Sequence, residues 1–306
     1  MFRDSCRDAA QLFLLPLLAA LLPWRLGFGL LQRAAKWPWV LASEVDQAFK
    51  GAATVSPIAD RAAWQWEHRL VRMADHADLY LSLLRGDGWL RRHVHVQGSW
   101  PESGPFLAAF LHSGAGLWGL RHLRGAGHRA AFVSIRFDRS MYGNQPLRYW
   151  YACLRARATA RAAGRPLIFT GNARQEMLDR LAHGENIVAA LDVPPAGRSG
   201  VATRLFGRPA HLVRGVFDIA VESQVPIVLF TMRVHADTGE RTLCIHPPIR
   251  GISAEALAAH FAPLLEREAT ENAPAWHFWG LVQAFFRQSA QDAGGSQQQS
   301  APVESI

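Results

Sequence analysis

The chain has 306 residues, 49% of them hydrophobic and only 19% charged, with a formal net charge of +8. That length can bury a large α/β core, and the apolar share is far below that of a polytopic membrane protein. A basic, tryptophan-rich chain with no helix-turn-helix, zinc-finger or aromatic RNA-binding pattern points to an anionic membrane surface or a phosphorylated ligand, and away from nucleic acid.

The first element is the apolar run AAQLFLLPLLAALLPW, residues 9–24. It is shorter than the roughly 20 residues of a spanning helix. Arg3 and Arg7 before it resemble the start of a signal peptide, but Asp4 and Asp8 dilute that charge and no clear small-residue cleavage site follows. An uncleaved membrane anchor or interfacial hairpin is expected over residues 1–40, with Trp24, Trp37 and Trp39 at headgroup level. A buried helix of the globular core is the competing reading.

Residues 41–95 read as helical, with apolar residues at helical spacing, Asp60 as N-cap and a stop near Gly86. HVHVQGSW (93–100) alternates as a strand, and SGPFLAAFLHSG (103–114) is an apolar run suited to a buried parallel strand. Helix is expected over 116–127, strand over 129–138, helix over 144–161, strand over 165–171, helix over 173–185 and strand over 186–193. The segment 194–215, rich in Gly, Pro and Arg, reads as a long loop. It is followed by a helix (216–224), the strands VPIVLFTMRVH and RTLCIHPPI, and a helix over 254–271. The expected fold class is α/β, a mainly parallel sheet covered by helices, with an N-terminal membrane-associated helical segment. One domain spans 41–288, and 289–306 is a polar, disordered tail.

In such sheets ligands bind beyond the carboxyl ends of the strands. His112, Arg136, Asp192 and Arg233 each follow an apolar run. The stretch FLAAFLHSGAGLW ends a strand in a histidine and then a small-residue turn. His112 is there either a catalytic base or a structural histidine. HSGAG is not a G-x-S-x-G nucleophile elbow, and no P-loop or dinucleotide motif occurs. The three widely spaced cysteines and the scattered histidines form no metal-ligand pattern, so no metal is expected. Arg198, Arg204, Arg208 and Arg214 place four guanidinium groups near glycines, either as an anion-binding loop or as a solvated one.

The ordered set of these segments resembles the bacterial late acyltransferases of lipid A biosynthesis, within the lysophospholipid acyltransferase-like superfamily. FLAAFLHSGAGLW is similar to that family's histidine-bearing strand, and FVSIRFDRSMYGNQPLRYWYACLRAR to its arginine-bearing strand and helix. MLDRLAHGENIVAALDVPPAGRSGVATRLFGRPAHLVRGVFDIAVESQVPIVLFTMRV is similar to its longest block, and IHPPI with AWHFWGLVQAFFR to its closing strand and Trp-rich segment. The resemblance covers roughly residues 10–288. It implies an acyltransferase-like fold on the cytoplasmic face of the bacterial inner membrane. The implied reaction moves a fatty acyl chain from acyl carrier protein or CoA to a hydroxyl of an anionic, lipid A precursor-like acceptor.

The resemblance makes His112 the general base, places Asp192 beside the pocket, and gives Arg136 the phosphate or thioester donor. Arg204, Phe206, Gly207 and Arg208 would line the acceptor site. Ser113 and Gly114 supply small residues for an oxyanion hole. No cofactor is implied beyond the thioester co-substrate. One departure stands out: the acid expected five positions after His112 is Leu117. Asp192 is then the substitute partner for His112. The alternatives are assistance from the acceptor's own phosphate or carboxylate, acylation of another lipid or an arylpolyene-type metabolite, and binding of lipid or acyl carrier without catalysis.

Overall fold

The computed structural model describes residues 2–114, 116–171, 173–195 and 200–286. The expected tail and Arg198 lie outside these residues. The fold is mixed α/β, built on a seven-stranded, mostly parallel sheet. In chain order the strands are β1 (Val94–Gln97), β2 (Leu107–Phe110), β3 (Ala130–Ser134), β4 (Ile168–Phe169), β5 (Asn186–Ala190), β8 (Ile227–Val234) and β9 (Arg241–Ile245). Their spatial order is β1-β9-β8-β2-β5-β3-β4, and only β8–β9 is antiparallel.

The central strand LAAF of β2 is buried at every position. Its alternate residues feed different cores. Ala108 and Phe110 join the core beneath the helices α5 (Arg61–Leu84), α7 (Gly116–Gly125) and α8 (Pro146–Ala163). Leu107 and Ala109 face α9 (Ala173–Ala182), α10 (Gly215–Glu222) and α11 (Ala254–Glu271). Coverage of both faces explains why these strands read as unbroken apolar runs.

The N-terminal segment folds as α1 (Phe2–Asp8), a π-helical stretch (Ala9–Leu14), α2 (Leu15–Leu21) and α3 (Trp24–Ala34). Pro16 has no N–H to offer the carbonyl one turn back. The hydroxyl of Tyr80, on α5, donates to Leu12 O instead at 2.7 Å. Leu12, Leu15, Ala19, Ala20, Trp24 and Phe28 are buried in the same core as the sheet. No helix among the described residues is long and apolar enough to cross a membrane. The segment is two-faced, however: Leu14, Leu18, Leu21 and Leu26 are exposed, the last by 63%. Trp24, expected at headgroup level, is instead buried and donates its indole N–H to Gly239 O at 3.1 Å. In the interior the indole N–H finds this carbonyl at the chain return and the ring packs under the Arg241 guanidinium, which makes the interior the better place for it.

The segment 194–215, expected as a loop, contains a hairpin of β6 (Gly200–Leu205) and β7 (Arg208–Val213). Val201, Leu205, Ala210 and Leu212 face the core. The two-residue turn Phe206–Gly207 has positive φ at both positions, +51° and +72°. This is the primed-turn geometry that matches strand twist. Short arginine-rich strands around an otherwise loop-like composition hid this alternation. Helix α4 (Ala42–Ala52) meets the C-terminal segment backbone to backbone. A Cβ at Gly51 would lie 1.8 Å from Trp279 O.

A buried ion pair joins α5 to β9. Arg241 and Asp78 are both fully buried and hydrogen-bonded, and Arg241 stacks over Trp24 at 4.3 Å and Trp89 at 5.1 Å. Arg241→Leu would leave Asp78 buried without its cation, so it should lower unfolding free energy by about 3–5 kcal/mol, measured by urea denaturation. A loss under about 1 kcal/mol would show that the pair is dispensable to the fold.

Candidate active site

The parallel register of β2 and β5 creates the site. Phe110 is opposite Ala190, so two residues further on His112 is opposite Asp192. Asp192 is fully buried, and its carboxylate accepts three hydrogen bonds. His112 Nδ1 donates to Oδ1 at 2.7 Å, the His112 backbone N–H to Oδ2 at 2.6 Å, and Trp276 Nε1 to Oδ2 at 2.8 Å. A carboxylate only accepts, so the proton of neutral His112 sits on Nδ1 and leaves Nε2 as a base. The imidazole is 15% exposed and packs on Phe278 with ring centroids 4.2 Å apart.

Two apolar chambers meet at His112, and Phe110, Phe132 and Ser134 wall both. The first, about 60 Å³, runs between the sheet and α7/α8, past Leu117, Leu120, Phe230 and Thr159. The second, about 160 Å³, is lined by Ile135, Val193, Val213, Val216 and Phe278. An apolar cavity of that size takes a benzene-sized group. Helix α7 begins at the first chamber, with Gly116 and Leu117 in the wall. The amide end of the helix, with its partial positive charge, therefore points there.

The other expected site residues divide. Ser113 is buried with an unpartnered hydroxyl and bridges to Trp276. Gly114 has φ +67°, and a Cβ there would meet Met232 O at 2.6 Å, so it permits the turn after His112. Arg136 is exposed over the Phe169 ring at 4.5 Å, flanked by the chamber residues Ile135 and Phe137. Arg204, Phe206, Gly207 and Arg208 form the hairpin tip and line neither chamber. Phe206 packs on Trp276 and Trp279 and gives its N–H to Glu266, and Arg208 stacks on Phe286 at 3.8 Å. The hairpin reaches the site through Val213 instead. Arg233 is held away, bidentate to Glu268 at 3.0 and 2.7 Å. Leu117 is buried in the chamber wall, and the carboxylate hydrogen-bonded to His112 is Asp192.

Two site residues gave no signal in the sequence. His277 lines the first chamber, and its backbone N–H donates to His112 O at 2.8 Å. Its buried Nε2 has no partner. Burial pushes its pKa well below the ordinary histidine value, and the nearby Arg72, His68, His112 and Arg155 act in the same direction. Arg155 lines the same chamber and pairs with Asp75 at 2.8 Å. Burial opposes its charge, but Asp75 and Tyr151 more than offset this and raise its pKa. Both contacts join segments more than 75 residues apart, so no spacing rule reveals them.

No protein-family model matches this chain, and no curated protein is detectably similar to it in sequence.

Three histidines are buried in the neutral form beside this site. Burial lowers the pKa of His68 to about 3, and His76 and His277 are also driven well below the ordinary value. Unfolding returns them to about 6.5, so below that pH the unfolded chain binds protons that the folded chain does not. Stability should therefore fall as pH drops from about 6.5 towards 3, each histidine contributing up to about 1.4 kcal/mol per pH unit. Urea midpoints at pH 7.5, 6 and 5 check this, and His68→Gln should flatten the slope. A midpoint independent of pH across that range would contradict the buried neutral state.

Proposed function

We propose that the chain is an acyltransferase that moves a fatty acyl group from a thioester of acyl carrier protein or CoA to a hydroxyl of a lipid acceptor. The observation that carries this reading is the His112 Nδ1–Asp192 hydrogen bond, with Asp192 fully buried, where two apolar chambers meet. Nε2 of His112 takes the proton of the acceptor hydroxyl as its oxygen attacks the thioester carbonyl carbon. Asp192 keeps the ring in the required tautomer and stabilises the imidazolium that forms. The amide end of α7 faces the developing oxyanion. Collapse of the tetrahedral intermediate breaks the C–S bond, and the imidazolium returns its proton to the departing thiolate. An ester and a free thiol result.

The reading accommodates leucine at position 117, because the carboxylate comes from the neighbouring strand and an apolar wall suits an acyl chain. In this reading Arg136, exposed between the chamber residues Ile135 and Phe137, binds a phosphate of the thioester donor. The acceptor is an anionic, lipid A precursor-like molecule at the cytoplasmic face of the inner membrane. The exposed residues Leu14, Leu18 and Leu21, at helical spacing, favour that setting, since an apolar stripe on a basic, otherwise packed segment suits an interface.

Purified protein incubated with labelled acyl carrier protein or CoA thioesters and a membrane lipid extract should yield labelled lipid. His112→Ala should abolish the product. Asp192→Asn should lower turnover by about 10⁴, the loss seen when a histidine base loses its orienting acid. Transfer that persists unchanged in His112→Ala, or its absence from wild type with every donor, would overturn the reading.

A further inference from the structure

At the opposite end of α7 from His112 lies a second cavity, about 290 Å³, which the proposed chemistry does not use. It is lined by Arg85, Arg121, Arg124 and Arg161, with Leu83 and Leu84 on its wall. Four guanidinium groups share the space, and the side chains hydrogen-bonded to them supply a single carboxylate, Asp87 on Arg121. Arg121 is fixed by the carbonyls of Ser82 and Arg85 and by the face of Trp118. Arg85 donates to the carbonyls of Ala20, Leu21 and Leu22 at the end of α2, while its buried Nε has no partner. Arg124 spends one N–H on the Arg161 carbonyl, and the exposed Arg161 guanidinium has no ion-pair or hydrogen-bond partner among the described residues. Two arginines thus build the floor and two remain to bind.

The rim is apolar. Leu83 and Leu84 are exposed by 38% and 50%. Through Arg85 they adjoin Leu21 and Leu22, exposed by 58% and 38%, and Leu18 and Leu14 continue the ridge at helical spacing. A free phosphate would need the arginines alone. Guanidinium groups bordered by a row of exposed leucines match a molecule with an anionic head and a hydrocarbon tail.

We infer that this arginine groove is a binding site for the phosphate headgroup of an anionic membrane lipid, whose acyl chains lie against the leucine ridge. The inference rests on the membrane setting proposed above and not on acyl transfer. The groove shares no lining residue with either chamber at His112, so it is a separate site.

The test is flotation of the full-length purified protein with vesicles of phosphatidylcholine alone or with added phosphatidylglycerol. Wild type should bind the phosphatidylglycerol vesicles preferentially. Arg124→Gln/Arg161→Gln should weaken that binding roughly 30-fold at low salt with no change in Tm. Leu83→Ser/Leu84→Ser should weaken binding as well while leaving the charge intact. Equal binding to both vesicle types, or a double arginine variant that floats like wild type, would overturn the site. Inorganic phosphate that stabilises wild type but not the arginine variant, and strips the protein from vesicles at matched phosphate concentration, would overturn the lipid as its source. Because flotation requires no turnover, a chain that transfers no acyl group would still give the binding result, and the two failures are distinguishable.

Discussion

A carboxylate with no exposed surface governs the arrangement around Asp192. An unpaired charge at such a depth costs several kcal/mol, so its oxygens must find donors. Three donors come from two parts of the chain: the backbone and ring of His112 after β2, and the indole of Trp276 in the C-terminal segment. Satisfying the carboxylate therefore fixes the rotation of the imidazole, the path of the strand exit and the seat of the tryptophan together. Loss of any one donor would leave the others bound to a less stable charge.

That constraint propagates outward. Trp276 packs on Trp279 with ring centroids 4.7 Å apart, and both meet Phe206 at the hairpin tip. Phe206, expected to line the acceptor site, instead packs on the tryptophan that holds the aspartate. On the opposite face of the sheet, Arg72, Asp75, Arg155, His76 and Tyr151 form a buried polar cluster behind the first chamber. His76 Nδ1 and the Tyr151 hydroxyl are 2.7 Å apart. Arg155 on α8, paired with Asp75, thus puts a charged backing behind the wall of an otherwise apolar chamber.

Much of this was legible in the sequence. Unbroken apolar runs gave β2, β5 and β8, because strands covered on both faces need no polar side. His112 and Asp192 were visible as polar residues closing two such runs, and parallel pairing with equal overhang makes them neighbours. The hairpin was not legible, since glycine, proline and arginine obscure a period-two pattern only six residues long. Trp24 was misplaced because its partner, Gly239 O, is 215 residues away. His277 and Arg155 were hidden for the same reason: their chemistry comes from contacts that only the folded chain creates. The meaning of Leu117 also waited on the fold, which shows a carboxylate arriving from β5.

Gly51 sits on the outer helix α4, remote from the chambers in sequence and touching none of them. Its missing side chain lets α4 press against the backbone at Trp279, three residues from the tryptophan that anchors Asp192. Any larger residue there must push that backbone away. Position 51 is thus closed to sequence drift on behalf of a histidine it never meets. The set of substitutions that can silence His112 extends to residues that a search confined to the chamber walls would pass over.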